Sequence, residues 1–494
     1  MALTVERTLP ARPDLEQQKK RAKALLKAIR AGEPQALARL ASGHPRHVHR
    51  APADLGAVKL ADAQVVIARE YGFSSWPALK AHIDGLSREA SPQRPFETDP
   101  QYYRDRAFGL ASVKSTGERG ALRIIRRHHP AFAAASEGEI DAAPFTQADA
   151  ELVVAREHGF ADFAALEARL ADLRGGAARE PFRDAFKAIK AGDEAALAAV
   201  LDAQPDLVQA LGTNGNSLLS LAVAFGRDGM IETLLARGAD PNLVNNKGAN
   251  ALHNLAAGGR AEGELARAER LIAAGTSVEA EAYGEGGSPL ALALFWGKRA
   301  LAERLARESV TPLNLRIAAG LGRVELLDAL AAPDGGLLPE AGRAREFHRP
   351  HSGFPPWRPA DERQQILDEA LTYAARNGRV EAMDWLVRRG ADVDAEPYNG
   401  TALVWAVRQD RLEAIGWLIA HGADPNRPCG LGGPTWLTPL HAAAAWEGRP
   451  EAARLLLRLG ADSGLSDPAF KATPAGWADH FGNADVKAVL ESGD

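Results

Sequence analysis

Apolar residues in the C-terminal part of the chain fall in short paired blocks. A run of small residues closing on glycine, as in SLAVAFG (220–226), LALFWG (292–297), TYAARNG (372–378) and GWADHFG (476–482), forms the first block. A leucine-rich run such as ETLLAR, DWLVRR, GWLIAH or RLLLRL forms the second, and Gly-Ala-Asp follows it at 238–240, 390–392, 422–424 and 460–462. A recurring period of this kind decides the fold before any single motif does. Each unit reads as a short alanine-rich helix, a tight turn at glycine, a longer leucine-rich helix and a Gly-Ala-Asp exit. Ala374, Ala375, Ala443 and Ala444 let neighbouring backbones approach closely, while Leu234, Leu235 and Leu455–Leu457 bury against the adjacent unit. The glycine after the second helix can end it in the left-handed conformation, and the following Asp or Asn can close a turn. One unit buries too little surface to be stable alone, so the stack supplies the core.

Thr-Pro-Leu-His stands at 438–441, and PNLVN, VDAEP and DPNRP complete or follow the Gly-Ala-Asp tripeptides. With these residues, 182–494 resembles an ankyrin-repeat array with a period of about 33 residues. The units fall near 182–213, 214–248, 249–286, 287–311, 312–338, 367–399, 400–433, 434–471 and a closing 472–494, with the motif faintest at 287–338. The resemblance implies an all-α solenoid of stacked helix-turn-helix units with short hairpin-like loops. It also implies a non-enzymatic scaffold that holds another protein, as a monomer, on its concave groove and loop tips.

The first 180 residues carry a different echo. LADAQVVIAREYGFSSWPALKAHI (60–83) is similar to QADAELVVAREHGFADFAALEARL (147–170), and a glycine precedes a proline by the same interval at Gly32 and Pro45, Gly117 and Pro130, and Gly192 and Pro205. After a tail (1–14), two related helical modules at 15–87 and 100–172 follow, joined by 174–181 to a first repeat block, 182–338. They resemble the divergent portions that accompany some bacterial ankyrin proteins. A Pro-rich insertion (339–366) separates that block from a second, 367–494; five prolines lie within 337–365, and no helical period begins before Ile366. A loop of this length in a compact array is usually functional or disordered.

Composition sharpens this picture at three points. The chain of 494 residues has 98 alanines, and its 47 glycines and 30 prolines suit many short, interrupted helices. Its 59 basic and 64 acidic side chains leave a formal charge of −5, which gives no electrostatic reason to expect nucleic acid or an anionic membrane. Cys429 is the only cysteine, so an intrachain disulfide and cysteine-based zinc sites are excluded. The charged start has no secretory core and no apolar run is long enough to span a bilayer, so a cytoplasmic location is the expectation.

No nucleotide-binding, zincin or serine-hydrolase signature is present, and neither a catalytic residue nor a cofactor is expected. His44, His47 and His49 could meet a metal, but they follow a helix end at Gly43, where His and Arg favourably face the helix dipole. His128 and His129 hold the equivalent place in the second module, and no metal site is expected. His253 and His441 take the histidine position of the ankyrin motif, where the resemblance implies a hydrogen bond between units; Thr438 belongs to the same network, and Thr401 and Thr473 keep only the threonine. The basic runs 17–30 and 119–129 read as amphipathic helices with a solvated basic face. Cys429 lacks a free neighbouring base and is expected to be a bystander.

The resemblance places the groove at the two residues before each turn glycine. Carried over, these are Ala224 and Phe225, Phe295 and Trp296, Gly320 and Leu321, Arg376 and Asn377, Arg408 and Gln409, Ala445 and Trp446, and His480 and Phe481. Asp410 replaces the glycine in one unit, and one extra residue lies near Trp446. Solvent-facing aromatics among them are candidate anchors. The insertion offers Phe347, His348, Arg349, His351, Phe354 and Trp357, which could close over the groove or line a small-molecule or hydrolytic site beneath it.

Overall fold

The computed structural model describes residues 15–44, 57–71, 76, 79–80, 92–115, 119–258, 262–309, 314–345, 360–397, 400–430 and 436–492. Among these the protein is all-α, with 26 α-helices and one antiparallel pair of two-residue strands, Cys429–Gly430 and Trp436–Leu437. The chain forms two compact units, Met1–Ala282 and Tyr283–Asp494.

The first unit opens with helices Leu15–Arg30, Pro34–Gly43 and Leu60–Glu70. Gly32, at φ +74°, makes the turn between the first two. The second module repeats the plan with Pro100–Lys114, Arg119–His128, Glu137–Ala142, Gln147–Glu157 and Phe163–Gly175. The histidines before the two prolines stand at helix C-termini, as expected, and each also meets a carboxylate. His44 Nε2 lies 3.2 Å from Asp62 Oδ1, and His129 Nε2 lies 3.3 Å from Asp149 Oδ1. Each aspartate sits in the first turn of the module's Ala-Arg-Glu helix and also accepts a backbone N–H there, from Lys59 and Thr146. Each ring thus joins the end of its module's second helix to the start of the Ala-Arg-Glu helix. His47 and His49 lie outside the described residues.

Three helix pairs follow: Pro181–Ala191 with Glu194–Ala203, Leu218–Ala224 with Asp228–Ala236, and Ala251–Ala257 with Glu264–Ala273. A polar seam ties the second module to them. Arg106 reaches Glu157 at 2.5 Å, Asn246 donates to the same carboxylate at 2.7 Å, and Gln93 donates to Asn246 at 2.8 Å. Beside it, the buried His158 ring bonds Val154 O (2.8 Å) and Thr213 Oγ1 (3.0 Å). Burial pushes the Glu157 carboxyl above the usual carboxylate range and takes His158 down to about 3.

The second unit stacks Pro289–Phe295 with Arg299–Ala306, Leu315–Leu321 with Val324–Ala329, Arg363–Arg376 with Val380–Arg388, Ala402–Arg408 with Leu412–Ala420, Pro439–Ala444 with Pro450–Arg458, and Pro474–Phe481 with Ala484–Ser492. Ala374, Ala375, Ala443 and Ala444 are fully buried in a core that also holds Leu403, Leu440 and Leu456. The long helix starts at Arg363, ahead of the apolar period at Ile366. Its first turn is fixed by polar bonds that periodicity does not register: Arg363 donates to Arg389 O at 2.7 Å and Gln364 to Gly390 O at 2.8 Å. Further along, Glu369 is fully buried and held by Arg345 at 2.5 Å.

Candidate interaction surface

The threonine and histidine of the repeat motif act locally and between units. Thr438 Oγ1 accepts the His441 N–H at the helix start, and His441 Nε2 lies 3.0 Å from Ala472 O of the next unit. In the unit at 250–257, Asn250 takes the threonine's place: its Oδ1 accepts the Leu252 and His253 N–H groups and its Nδ2 donates to Ser277 O at 2.8 Å. Thr401 and Thr473 cap their helices through the N–H groups of Val404 and Gly476.

The residues expected in the groove of the second unit converge on one aromatic and cationic ladder. The Arg376 guanidinium lies 4.1 Å from the Phe295 ring and 3.7 Å from the Trp405 ring. Arg408 follows, 5.3 Å from Trp405 and 4.1 Å from Trp446. Trp446 lies 5.9 Å from Phe481, which stacks on Trp477 at 5.8 Å and meets His480 edge-on at 5.1 Å. Contacts of a cation over an aromatic face are worth about 0.5–2 kcal/mol each, more where water is excluded.

The two ends of the ladder differ, and one end corrects the expectation. Phe295, Arg376 and Asn377 are fully buried and face no groove. Arg376 donates to Phe295 O and Asn377 to Leu294 O, both at 2.9 Å, so the helix Pro289–Phe295 is drawn onto Arg363–Arg376. Gly297, at φ +66°, completes this closure: a Cβ there would stand 2.8 Å from Gln409 and 2.9 Å from Arg376 O. Leu321 and Ala445 are buried as well, while Trp296, Arg408 and Gln409 are half-buried. At the other end Trp446 and Phe481 are each 36 % exposed and His480 is exposed. In the first unit Ala224 and Phe225 are exposed, and Phe225 meets Phe186 edge-on at 6.1 Å. The insertion residues Phe347, His348, Arg349, His351, Phe354 and Trp357 lie outside the described residues.

Trp446 owes its position to the extra residue. The helix Pro439–Ala444 stops at an extended Ala445, and Trp446 takes φ +54° before Gly448. Asp410 holds φ +52° at its own turn, as a short polar residue does more easily. A bulky residue in that region is strained by roughly 1–2 kcal/mol, and such outliers cluster at functional sites.

Sequence reading missed the residue just after five of the turns, where a side-chain donor reaches back to the preceding inner helix. Arg227 donates to Ile189 O at 2.9 Å, Arg379 to Gly320 O at 3.3 Å, Arg411 to Arg376 O at 3.1 Å and Arg449 to Arg408 O at 3.0 Å. Asn483 makes the same bond to Ala444 O at 2.8 Å. These carbonyls are among the orphans of a helix C-terminus, and a cation there also meets the negative end of the dipole. The visible signal is Gly-Arg at 226–227, 378–379 and 448–449. Cys429, by contrast, is buried, and its thiol is pushed up to about 12 by desolvation. Among the described residues no group of His, Cys, Asp and Glu is arranged to hold a metal, and no helix is long and apolar enough to cross a membrane.

Comparison with known families agrees with this architecture. A family described as ankyrin repeats in three copies matches residues 353–429, one described as ankyrin repeats in many copies matches 403–457, and the single ankyrin repeat matches 214–246. A comparison with curated proteins gave no match.

Proposed function

Because the chain is an ankyrin-repeat protein, with repeats across residues of about 214–457, we propose that it works as a non-enzymatic scaffold that captures a partner protein on the open end of its aromatic ladder. Arrays of this kind bind through variable positions on a fixed frame. The observation that carries the reading is Trp446: strained at φ +54°, 36 % exposed, and backed by Arg408 at 4.1 Å. An aromatic ring fixed by a neighbour has little entropy to lose on binding, and Trp and Arg are the commonest interface anchors. Phe481 and His480 extend the same surface, while the half-buried Trp296, against Phe295, and Gln409, against Gly297, are separate candidates, as is Phe225 in the first unit.

The test is capture of partners by the intact chain and by Trp446→Ala and Phe481→Ala, with unchanged far-ultraviolet circular dichroism as the control for folding. Each substitution should weaken capture by ~30-fold or more, the scale of a hot-spot residue. Equal recovery of the same proteins by both variants would remove the groove from the mechanism.

A further inference from the structure

The two N-terminal modules are copies, and they treat one arginine differently. Arg21 and Arg106 each stand eleven residues before the glycine that precedes a proline by thirteen, Gly32 and Gly117. In the second module Arg106 pairs at 2.5 Å with Glu157, the acid of its Ala-Arg-Glu motif. In the first, the matching Glu70 is gripped by both donors of Arg39, at 2.6 and 3.0 Å. Arg39 has no basic counterpart in the second copy, where the same place is Ile124. Among the described residues Arg21 therefore pairs with no carboxylate: its hydrogen bonds go to the Tyr71 hydroxyl and, at 3.3 Å, to Gln18 Oε1, both neutral.

That guanidinium lines a cleft of about 420 Å³. Leu25, Ile67, Ala24 and Ala28 form its apolar floor, and Arg39, Glu70, Tyr71 and Glu33 its polar side. Ala24 and Glu33 are exposed, so the cleft reaches solvent. The volume lies within the range of small-molecule pockets. Lys19, Lys20, Lys23, Lys27 and Arg30 share the helix with Arg21 and bias the local field toward anions.

We propose that this cleft is a binding site for a small monocarboxylate with an apolar body. The carboxylate takes the Arg21 fork, which matches its planar geometry, with the Tyr71 hydroxyl as a second donor. The chain of the ligand lies over Ala24 and Ala28 toward Leu25 and Ile67. One guanidinium with Glu33 nearby suits a single negative charge better than a phosphate dianion, and the floor excludes a ligand that is polar throughout.

The test is calorimetric titration of the full-length protein with octanoate, inorganic phosphate and octanol. Octanoate should bind at one site. Arg21→Gln should weaken it about ten- to a hundredfold, the value of a charge-assisted contact, and Ala28→Phe should abolish it by filling the floor while leaving every charge in place. Phosphate and octanol should bind at least tenfold more weakly than octanoate. Octanoate binding that survives both substitutions, or phosphate binding as tight as octanoate, would overturn the assignment, the latter by showing simple attraction to a basic helix. Circular dichroism checks folding, and the two variants act through different properties, so a misfolded Arg21→Gln still leaves Ala28→Phe to decide.

Discussion

Arg411 is the sharpest place to test how the repeats hold one another. Its Nε donates to Arg376 O at 3.1 Å and its NH2 to Gly297 O at 2.6 Å, so one side chain satisfies carbonyls at the ends of two different inner helices. Arg411→Met keeps the length of the stem and removes both donors. A hydrogen bond from a charged donor contributes about 1.5–3 kcal/mol, and a cation at a helix C-terminus about 0.3–1 kcal/mol. Two effects offset this. Burial lowers the pKa of Arg411, and the like charges of Arg299, Arg379 and Arg449 lower it further; the side chain is also only partly buried, so water screens what remains. With these offsets the net loss should fall below the bare sum, at about 2–3 kcal/mol. Since units of a repeat array open semi-independently, the assay is hydrogen exchange in the helices Ala402–Arg408 and Leu412–Ala420, with Leu218–Ala224 of the first unit as internal reference. Their exchange should accelerate about 30- to 150-fold, and Arg411→Lys, which keeps the charge but not the fork, should show an intermediate effect. Exchange within about threefold of the parent protein, or acceleration that is equal in the reference helix, would refute the clamp.

Other expectations follow from the same contacts. Burial lowers His158 to about 3 and also lowers His441, so both bind a proton more readily in the unfolded chain; their stability is full above the ordinary value near 6.5 and is lost as pH falls from there toward 3. Thermal unfolding at pH 7 and pH 5 should show that loss, and His158→Gln should reduce it; an identical pH dependence in the variant would contradict the assignment. Cys429, with its thiol near 12 and no exposure, should resist iodoacetamide at pH 8 in the folded protein and react once urea unfolds it, and rapid labelling of the native chain would show that the site opens. Deleting 472–494 removes Ala478, Val486, Val489 and Leu490 from the core and uncovers Leu456 and Ala453. Soluble yield should drop and dye binding to exposed apolar surface should rise, whereas an unchanged yield would mean that the closing unit is no cap.

How far the structure is legible in the sequence depends on whether a residue's role is repeated. Inner-helix alanines, turn glycines and the Thr-Pro-Leu-His capping network recur with the period, and their structural roles follow from it. The ladder was half legible. Register places Phe295, Arg376, Arg408, Trp446 and Phe481 on one side, and they do converge. Register does not tell which of them face water, because the closing of Pro289–Phe295 onto Arg363–Arg376 depends on long-range bonds to Phe295 O and Leu294 O. The turn arginines escaped for the opposite reason: they recur, but a charged residue after a turn looks like ordinary solvated surface until its acceptor on another unit is known. His44 and His129 show the same limit, since Asp62 and Asp149 lie on a helix that spacing alone does not bring near.

The clamps also account for how the second unit carries its long insertion. Arg379 reaches back past that segment to Gly320 O at 3.3 Å and to Glu303 at 2.6 Å, and Trp385 donates to Asp328 at 2.7 Å. Leu315, Ala318 and Ala319 share one core with Leu367, Ala370, Leu371 and Ala374. The helices on either side of the insertion are thus packed and bonded as sequence neighbours are elsewhere in the array. Lengthening a connection costs only about 0.6 kcal/mol per doubling, far less than the contacts that rejoin its ends. An insertion placed at a unit boundary can therefore vary without loosening the stack, provided that the residue after the next turn still reaches the helix before the break. Arg379 meets that condition with a side chain long enough to reach the carbonyl.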